Sequence, residues 1–170
     1  MKIYIFGGPG SGKTTLAKKF SEELNIPLFE LDKLLWKAVD NKSKKIKEEK
    51  RLEIIKKFIN KDDWITEGVY RQSWLDLVLK KANIVAILIV PKHIRNWRTT
   101  WRTIKRMLKI EKSFHESNLK LIFEFIKFND EFEKERYQEF ETRLNRLNIK
   151  PVFIKNYQDL KNIINKQGQE

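Results

Sequence analysis

The segment Gly7–Thr14 reads G-G-P-G-S-G-K-T, between a β-branched and aromatic run, Lys2 to Phe6, and a helical pattern from Thr14 to Leu24. No other stretch constrains the fold as tightly. Glycines let the backbone wrap with its N–H groups inward, and the helix that opens near Lys13 adds the positive end of its dipole. The fixed positions of the Walker A pattern are all met, so the loop is expected to cradle phosphates. Lys13 can then reach the β- and γ-phosphates, the Thr14 hydroxyl suits Mg²⁺, and Thr15 suits the α-phosphate. A glycine-rich turn without function leaves Lys13 and Thr14 unexplained.

Further along, Leu28 to Leu31 predicts a second strand and Asp32 to Lys37 a helical turn, followed by a lysine-rich helix up to Lys61 with Leu52, Ile55 and Ile59 on one stripe. That helix is either a solvated face or an anion-binding one. Trp64 to Thr66 predicts a third strand, and Trp74, Leu75, Val78 and Leu79 a helix. The unbroken apolar run Ile84 to Val90 predicts a strand buried on both faces and ended by Pro91. Two long helices, Ile94 to Ile110 and Asn118 to Leu147, joined by a polar turn at Ser113 to Ser117, come before a last strand, Pro151 to Ile154, and a last helix, Asp159 to Ile164. The alternation predicts an α/β domain of five strands with helices on both faces and the long helical pair as an insertion.

In such sheets ligands collect at the carboxyl ends of the strands. Glu67, in T-E-G-V-Y-R, stands there, either as a carboxylate for Mg²⁺-bound water or as a polar strand end; Arg71 is either a ligand or a surface cation. Asp32, in F-E-L-D, faces the same crevice, either to orient or deprotonate an acceptor hydroxyl or to cap the next helix. On the helix after Pro91, Ile94, Trp97, Trp101, Ile104 and Leu108 form an apolar seam that is expected to be core. Beside it Arg98, Arg102 and Arg106 recur every fourth residue, which suits phosphate recognition and transition-state charge, or else a solvated basic face. His93, His115 and the aromatic stripe Phe123, Phe125, Phe128 and Phe132 read as ordinary polar and core residues.

Composition narrows the classes. Thirty-six Lys and Arg against 23 Asp and Glu give a net charge of +13, which points to anionic partners or to a coding bias toward lysine. Without cysteine there is neither a disulfide framework nor a thiolate site, and two histidines argue against a transition-metal centre. The longest apolar run is too short to cross a bilayer, and the chain is expected to be cytoplasmic, with no membrane partner. No N-K-x-D signature marks a GTPase, and the chain is short for a motor.

These residues together resemble the adenylate-kinase-like small P-loop kinases, most closely the bacterial group named DNA topology modulation proteins. The likeness rests on G-G-P-G-S-G-K-T, I-P-L-F-E-L-D-K-L-L-W (Ile26 to Trp36), W-I-T-E-G-V-Y-R (Trp64 to Arg71) and the arginine helix after Val90 and Pro91. It implies the three-layer P-loop NTPase fold with a five-stranded parallel sheet in the order 2-3-1-4-5, a single domain over 1–170, and a helical lid over about 94–147. It further implies ATP phosphates on Gly8, Gly10, Ser11, Gly12, Lys13, Thr14 and Thr15, with Mg²⁺ served by Thr14 and Glu67. Arg98 and Arg102 fall where lid arginines contact adenine and phosphates, and the loop at Asn156 and Tyr157 approaches adenine through backbone groups. Glu30, Asp32, Trp36 and Arg71 are the implied acceptor residues, with Lys13, Asp32, Arg98 and Arg102 catalytic.

Two departures stand out. Glu67 replaces the family's usual aspartate, and L-D-K-L-L-W lacks the acceptor-helix arginine of adenylate kinases. The reading is therefore ATP- and Mg²⁺-dependent phosphoryl transfer to a small-molecule acceptor, with a nucleotide-dependent DNA-binding protein and a nucleotide sensor as alternatives.

Overall fold

The computed structural model describes residues 1–39, 42–108, 110 and 119–167, without the side chains of 34–45 and 167. In chain order the elements are β1 (Lys2–Phe6), α1 (Lys13–Leu24), β2 (Leu28–Glu30), α2 (Leu31–Leu35), β3 (Trp36–Val39), β4 (Lys42–Lys45), α3 (Glu48–Ile59), β5 (Trp64–Glu67), α4 (Leu75–Lys81) and β6 (Ile84–Leu88). Then come α5 (Lys92–Met107), α6 (Leu119–Glu131), a π-helical turn (Phe132–Arg136), α7 (Tyr137–Arg146), β7 (Val152–Ile154) and α8 (Tyr157–Gln167).

Alternation along β1 divides the core. Ile3 and Ile5 pack with Leu16, Phe20, Leu160 and Ile164, so α1 and α8 cover one face of the sheet. Tyr4 and Phe6 pack on the other face with Ile55, Phe58, Leu75, Val78, Phe132 and Phe140, contributed by α3, α4 and the π–α7 segment. The strands run β2-β5-β1-β6-β7, and every neighbouring pair is parallel. Counted among themselves they give the expected order 2-3-1-4-5. β6 is buried along its whole length, as its unbroken apolar run predicts.

Three expectations are corrected. The helix expected from Lys37 onward starts only at Glu48; before it β3 and β4 form an antiparallel hairpin with Lys37 opposite Lys44. Helical periodicity had support only from Leu52 onward, so the lysines upstream carried no information about their own conformation. The expected helix Asn118 to Leu147 is interrupted by the π-helical turn. Phe132 and Phe140 both stack on Phe6, with ring centroids 5.4 Å and 3.8 Å away. Eight residues of α-helix would leave two side chains about 80° out of phase, and the wider π turn absorbs the surplus residue.

The third correction concerns α5, which packs the opposite way round from its apolar seam. Arg95, Thr99 and Thr103 are buried, whereas Trp97, Trp101 and Leu108 are 66%, 47% and 64% exposed. The reason lies in the loop beneath. A Cβ on Gly10 would stand 2.5 Å from the Arg95 carbonyl oxygen and 2.9 Å from Thr99 Cγ2, so helix and loop meet nearly backbone to backbone, where an indole has no room. Threonine fits, because its hydroxyl is satisfied within the helix: Thr99 Oγ1 donates to the Arg95 carbonyl at 3.0 Å and Thr103 Oγ1 to the Thr99 carbonyl at 2.9 Å. The phenylalanine stripe is split likewise, with Phe132 buried, Phe125 and Phe128 half-buried and Phe123 71% exposed. The polar turn at Ser113 to Ser117 and His115 lie outside the described residues; His93 is exposed.

Candidate functional site

The phosphate loop leaves β1 at Phe6 and re-enters regular structure at Lys13, with Gly12 as the N-cap of α1. Gly10 has φ +75°, a left-handed conformation that costs an L-side chain about 1–2 kcal/mol. A turn closes the loop through the Ser11 N–H, which donates to the Gly8 carbonyl at 3.1 Å. Ser11 is buried and its Oγ has no hydrogen-bond partner. Thr15, by contrast, is exposed.

β5 ends beside this loop, and the register places Glu67 opposite Ile5 of β1. Glu67 is 1% exposed. Its Oε1 accepts a 2.8 Å hydrogen bond from the Thr14 hydroxyl; its Oε2 lies 3.8 Å from Lys13 Nζ and has no hydrogen-bond partner. Burial holds the Glu67 carboxyl above the usual carboxylate range; Lys13 and the Thr14 hydrogen bond pull it back, while Asp32 and Glu30 push it further up. The longer glutamate thus spans from strand end to loop.

Behind it two tyrosines close the floor. Tyr4 donates to the Gly68 carbonyl at 2.7 Å, and Tyr70 donates to Asp32 Oδ1. Burial, and then the Glu67 charge, raises the Tyr4 hydroxyl; burial, and then Asp32, raises that of Tyr70. Both remain donors. Asp32 lies within the first turn of α2, so the capping alternative does not describe it. Glu30 instead pairs with Lys33 at 2.8 Å and Lys18 at 3.8 Å. Trp36 opens β3, and its side chain lies outside the described residues.

A cleft of about 250 Å³ runs past Tyr70 between Arg71, Arg136, Glu139 and Arg143. Arg71 pairs with Glu139, and α7 clamps the loop after β5: Arg143 donates to the Arg71 carbonyl at 2.6 Å and to the Gln72 carbonyl at 3.2 Å. Asp76 holds Arg143 and Arg146, at 3.3 Å and 2.5 Å.

Above the loop, Arg98 Nη1 donates to the Ser11 carbonyl at 3.2 Å. Arg102 lies with its Cζ 5.8 Å from the Phe125 ring and so faces α6 rather than open solvent. Asn156 caps α8, accepting from the Asp159 N–H at 3.1 Å while Asp159 accepts from Lys155 N–H at 2.8 Å. Its side chain is thereby engaged, whereas Tyr157 stacks on Phe20.

Lys13, Thr14, Glu67, Asp32 and Arg98 are thus gathered around one loop, while the side chains of Glu30 and Asn156 are engaged elsewhere. Sequence reasoning missed Tyr4, Tyr70, Arg95, Asn129, Glu133 and Arg143. The spacing Arg95, Thr99, Thr103 was a readable polar stripe, and Tyr70 stood inside a motif already singled out. Arg143 gave no local signal.

The described residues contain no group of three or more His, Cys, Asp or Glu side chains able to hold a metal, and no helix long and apolar enough to cross a membrane. The protein family described as AAA domain matches residues 6–113. An adenylate kinase of Clostridium kluyveri is 29% identical over 129 residues, 61% of this chain and 59% of that one, so the chain spans only about 59% of this relative's length. A shikimate kinase from Acinetobacter baumannii in complex with shikimate superposes with a TM-score of 0.63 at 16% identity, covering 99% of this chain and 95% of that one. An uncharacterized protein from Eubacterium ventriosum ATCC 27560 gives 0.56 at 20% identity, with 98% of each covered. These likenesses agree with the sheet order and the loop in showing the fold of small P-loop kinases. As more than half of the chain, phosphate loop included, lies within the matched span, the protein belongs to the AAA domain family.

Proposed function

We propose that this chain is an ATP-dependent kinase of small molecules, in which α5 to α7 form a lid over the phosphate loop. The observation that carries the reading is the convergence of Lys13, Thr14 and Glu67 where β1 passes into α1 and β5 ends. A cation, a hydroxyl and a buried carboxylate at a glycine loop are what a nucleotide triphosphate and its counter-ion require.

Magnesium fits this donor set: the Oε2 of Glu67, which accepts no hydrogen bond, and the Thr14 hydroxyl are hard oxygen ligands, and one carboxylate with phosphate oxygens is the usual company of Mg²⁺. Thr14 and Glu67 would hold the ion, directly or through its water; when bound, it neutralises charge on the phosphates. Lys13 bridges the terminal phosphates, and Arg98 turns from the Ser11 carbonyl to the transferring group. The acceptor sits in the cleft past Tyr70. Asp32 orients its hydroxyl and takes the proton as the acceptor oxygen bonds to the γ-phosphorus and the bond to the bridging oxygen breaks, releasing ADP. If the acceptor is already phosphorylated, Arg71 exchanges Glu139 for that phosphate.

The test is ADP release with ATP and Mg²⁺ against a panel of nucleosides, nucleoside monophosphates and hydroxylated metabolites, beside Lys13→Ala. Acceptor-dependent release, lowered about a thousandfold or more in a folded Lys13→Ala variant, is the expected result. A flat panel with ATP binding intact would shift the reading to a nucleotide sensor, or, if DNA affinity falls steeply with salt, to a DNA-binding protein.

A further inference from the structure

Arg95 is 2% exposed, yet it belongs to no part of the mechanism above. Its Nε donates to the Val90 carbonyl at 3.0 Å and its Nη1 to Asn129 Oδ1 at 2.7 Å. Asn129 is fully buried and is itself fixed by a 2.8 Å bond from its Nδ2 to Asn96 Oδ1. Two neutral acceptors therefore set the plane of the guanidinium. Its Cζ lies 5.1 Å from the Phe132 ring, and a further contact differs in kind: Nη2 donates to Glu133, a carboxylate that is 48% exposed. The guanidinium closes on the phosphate loop, its Nη1 2.1 Å from where a Cβ on Gly8 would be. Beside it opens a cleft of about 250 Å³ lined by Gly7, Gly8, Arg95, Phe132, Glu133 and Tyr137.

We propose that Arg95 is a ligand of the nucleotide's terminal phosphate, and that Glu133 holds that place on the guanidinium until the phosphate arrives. This rests on the kinase reading above. With the α-phosphate near Thr15 and the outer two at Lys13, the phosphates run from the start of α1 toward Gly8, where Arg95 waits. A phosphate offers the planar fork the same two-oxygen acceptor as a carboxylate, with more charge. It repels Glu133, whose half-exposed side chain can swing into solvent, while Val90 and Asn129 keep Arg95 aimed. Such an exchange rewards a triphosphate more than a diphosphate.

The experiment is calorimetric titration of the protein, with Mg²⁺, by a non-hydrolysable ATP analogue and by ADP, on the wild type, Glu133→Gln, Arg95→Lys and the double variant. Both single changes are near-isosteric or charge-conserving, and melting temperatures recorded alongside show that the variants are folded. Glu133→Gln is expected to bind the analogue about two- to fivefold more tightly, the scale of removing one half-exposed ion pair, with ADP unchanged. Arg95→Lys is expected to weaken the analogue more than ADP and to abolish the gain from Glu133→Gln. No gain, an equal gain for ADP, or a gain that survives in Arg95→Lys overturns the exchange while leaving the kinase reading intact. A wild type that binds neither nucleotide overturns both.

Discussion

The sheet and the helical segment α5 to α7 solve the same problem with opposite materials. Around β1 and β6 burial follows hydrophobicity: Ile3, Ile5, Phe6 and the whole of Ile84–Leu88 are within a few per cent of full burial. Where α5 meets the loop and α6, the buried residues are Arg95, Thr99, Thr103 and Asn129, and two tryptophans lie outside. Apolar burial is non-directional and accepts many sequences, whereas a buried polar layer holds only when each donor meets its acceptor. The sheet therefore supplies stability, and the helical segment supplies one particular alignment over the phosphate loop.

That contrast can be broken at several points. Phe6 belongs to both regions, since Phe132 and Phe140 rest on it; Phe6→Ala is expected to cost about 3–5 kcal/mol in urea unfolding and to loosen the packing of the π–α7 segment as well. A cost below about 1 kcal/mol would mean that the two regions are not coupled there. Asn129→Ala removes a partner of buried Arg95 and of Asn96, and about 1–3 kcal/mol is expected by the same measurement.

Glu67 is a buried polar group within the apolar half. Because its folded-state pKa is raised, the folded protein holds that proton more tightly than the unfolded chain does. Its contribution to stability is complete below the usual glutamate range and is lost as pH rises through the raised value. Glu67→Gln should thus stabilise the nucleotide-free protein near neutrality and leave it unchanged in acid, while Mg²⁺-dependent nucleotide binding weakens. Unfolding curves from about pH 4 to pH 7 decide it, and parallel curves for the two proteins would reject the assignment. Smallest of all should be Trp97→Gln and Trp101→Gln, each within about 0.5 kcal/mol of the parent in thermal unfolding, because the side chains are exposed. A loss of several times that would restore the seam to the core.

The same contrast explains what could be read in advance. The five strands and the loop from Gly7 to Thr14 were legible because periodicity and glycine placement report local backbone needs, whereas the order of the strands came from the family resemblance. The orientation of α5 was not: its apolar seam was the stronger pattern, and only the near contact of Gly10 with Arg95 and Thr99 decides which face turns inward. The β3–β4 hairpin was hidden in lysines that suit either conformation. In the site, Lys13, Thr14 and Glu67 were readable because a motif fixes their distance from a strand end. Arg143 and Glu133 reach their partners Arg71 and Arg95 from 72 and 38 residues away in sequence, through tertiary packing that no window of the chain encodes.

The π-helical turn at Phe132–Arg136 also has a meaning for descent. A helix that carries one residue more than its period can be read as a regular helix that has received a single-codon insertion. Removing one residue within the turn should let the helix close into ordinary α geometry and still deliver Phe140 to Phe6, whereas the same deletion two turns further on would swing Arg143 by about 100° away from the loop it clamps. Relatives that lack the residue should therefore show their alignment gap here, and the turn is where this helical segment can change length without losing its grip on the loop after β5.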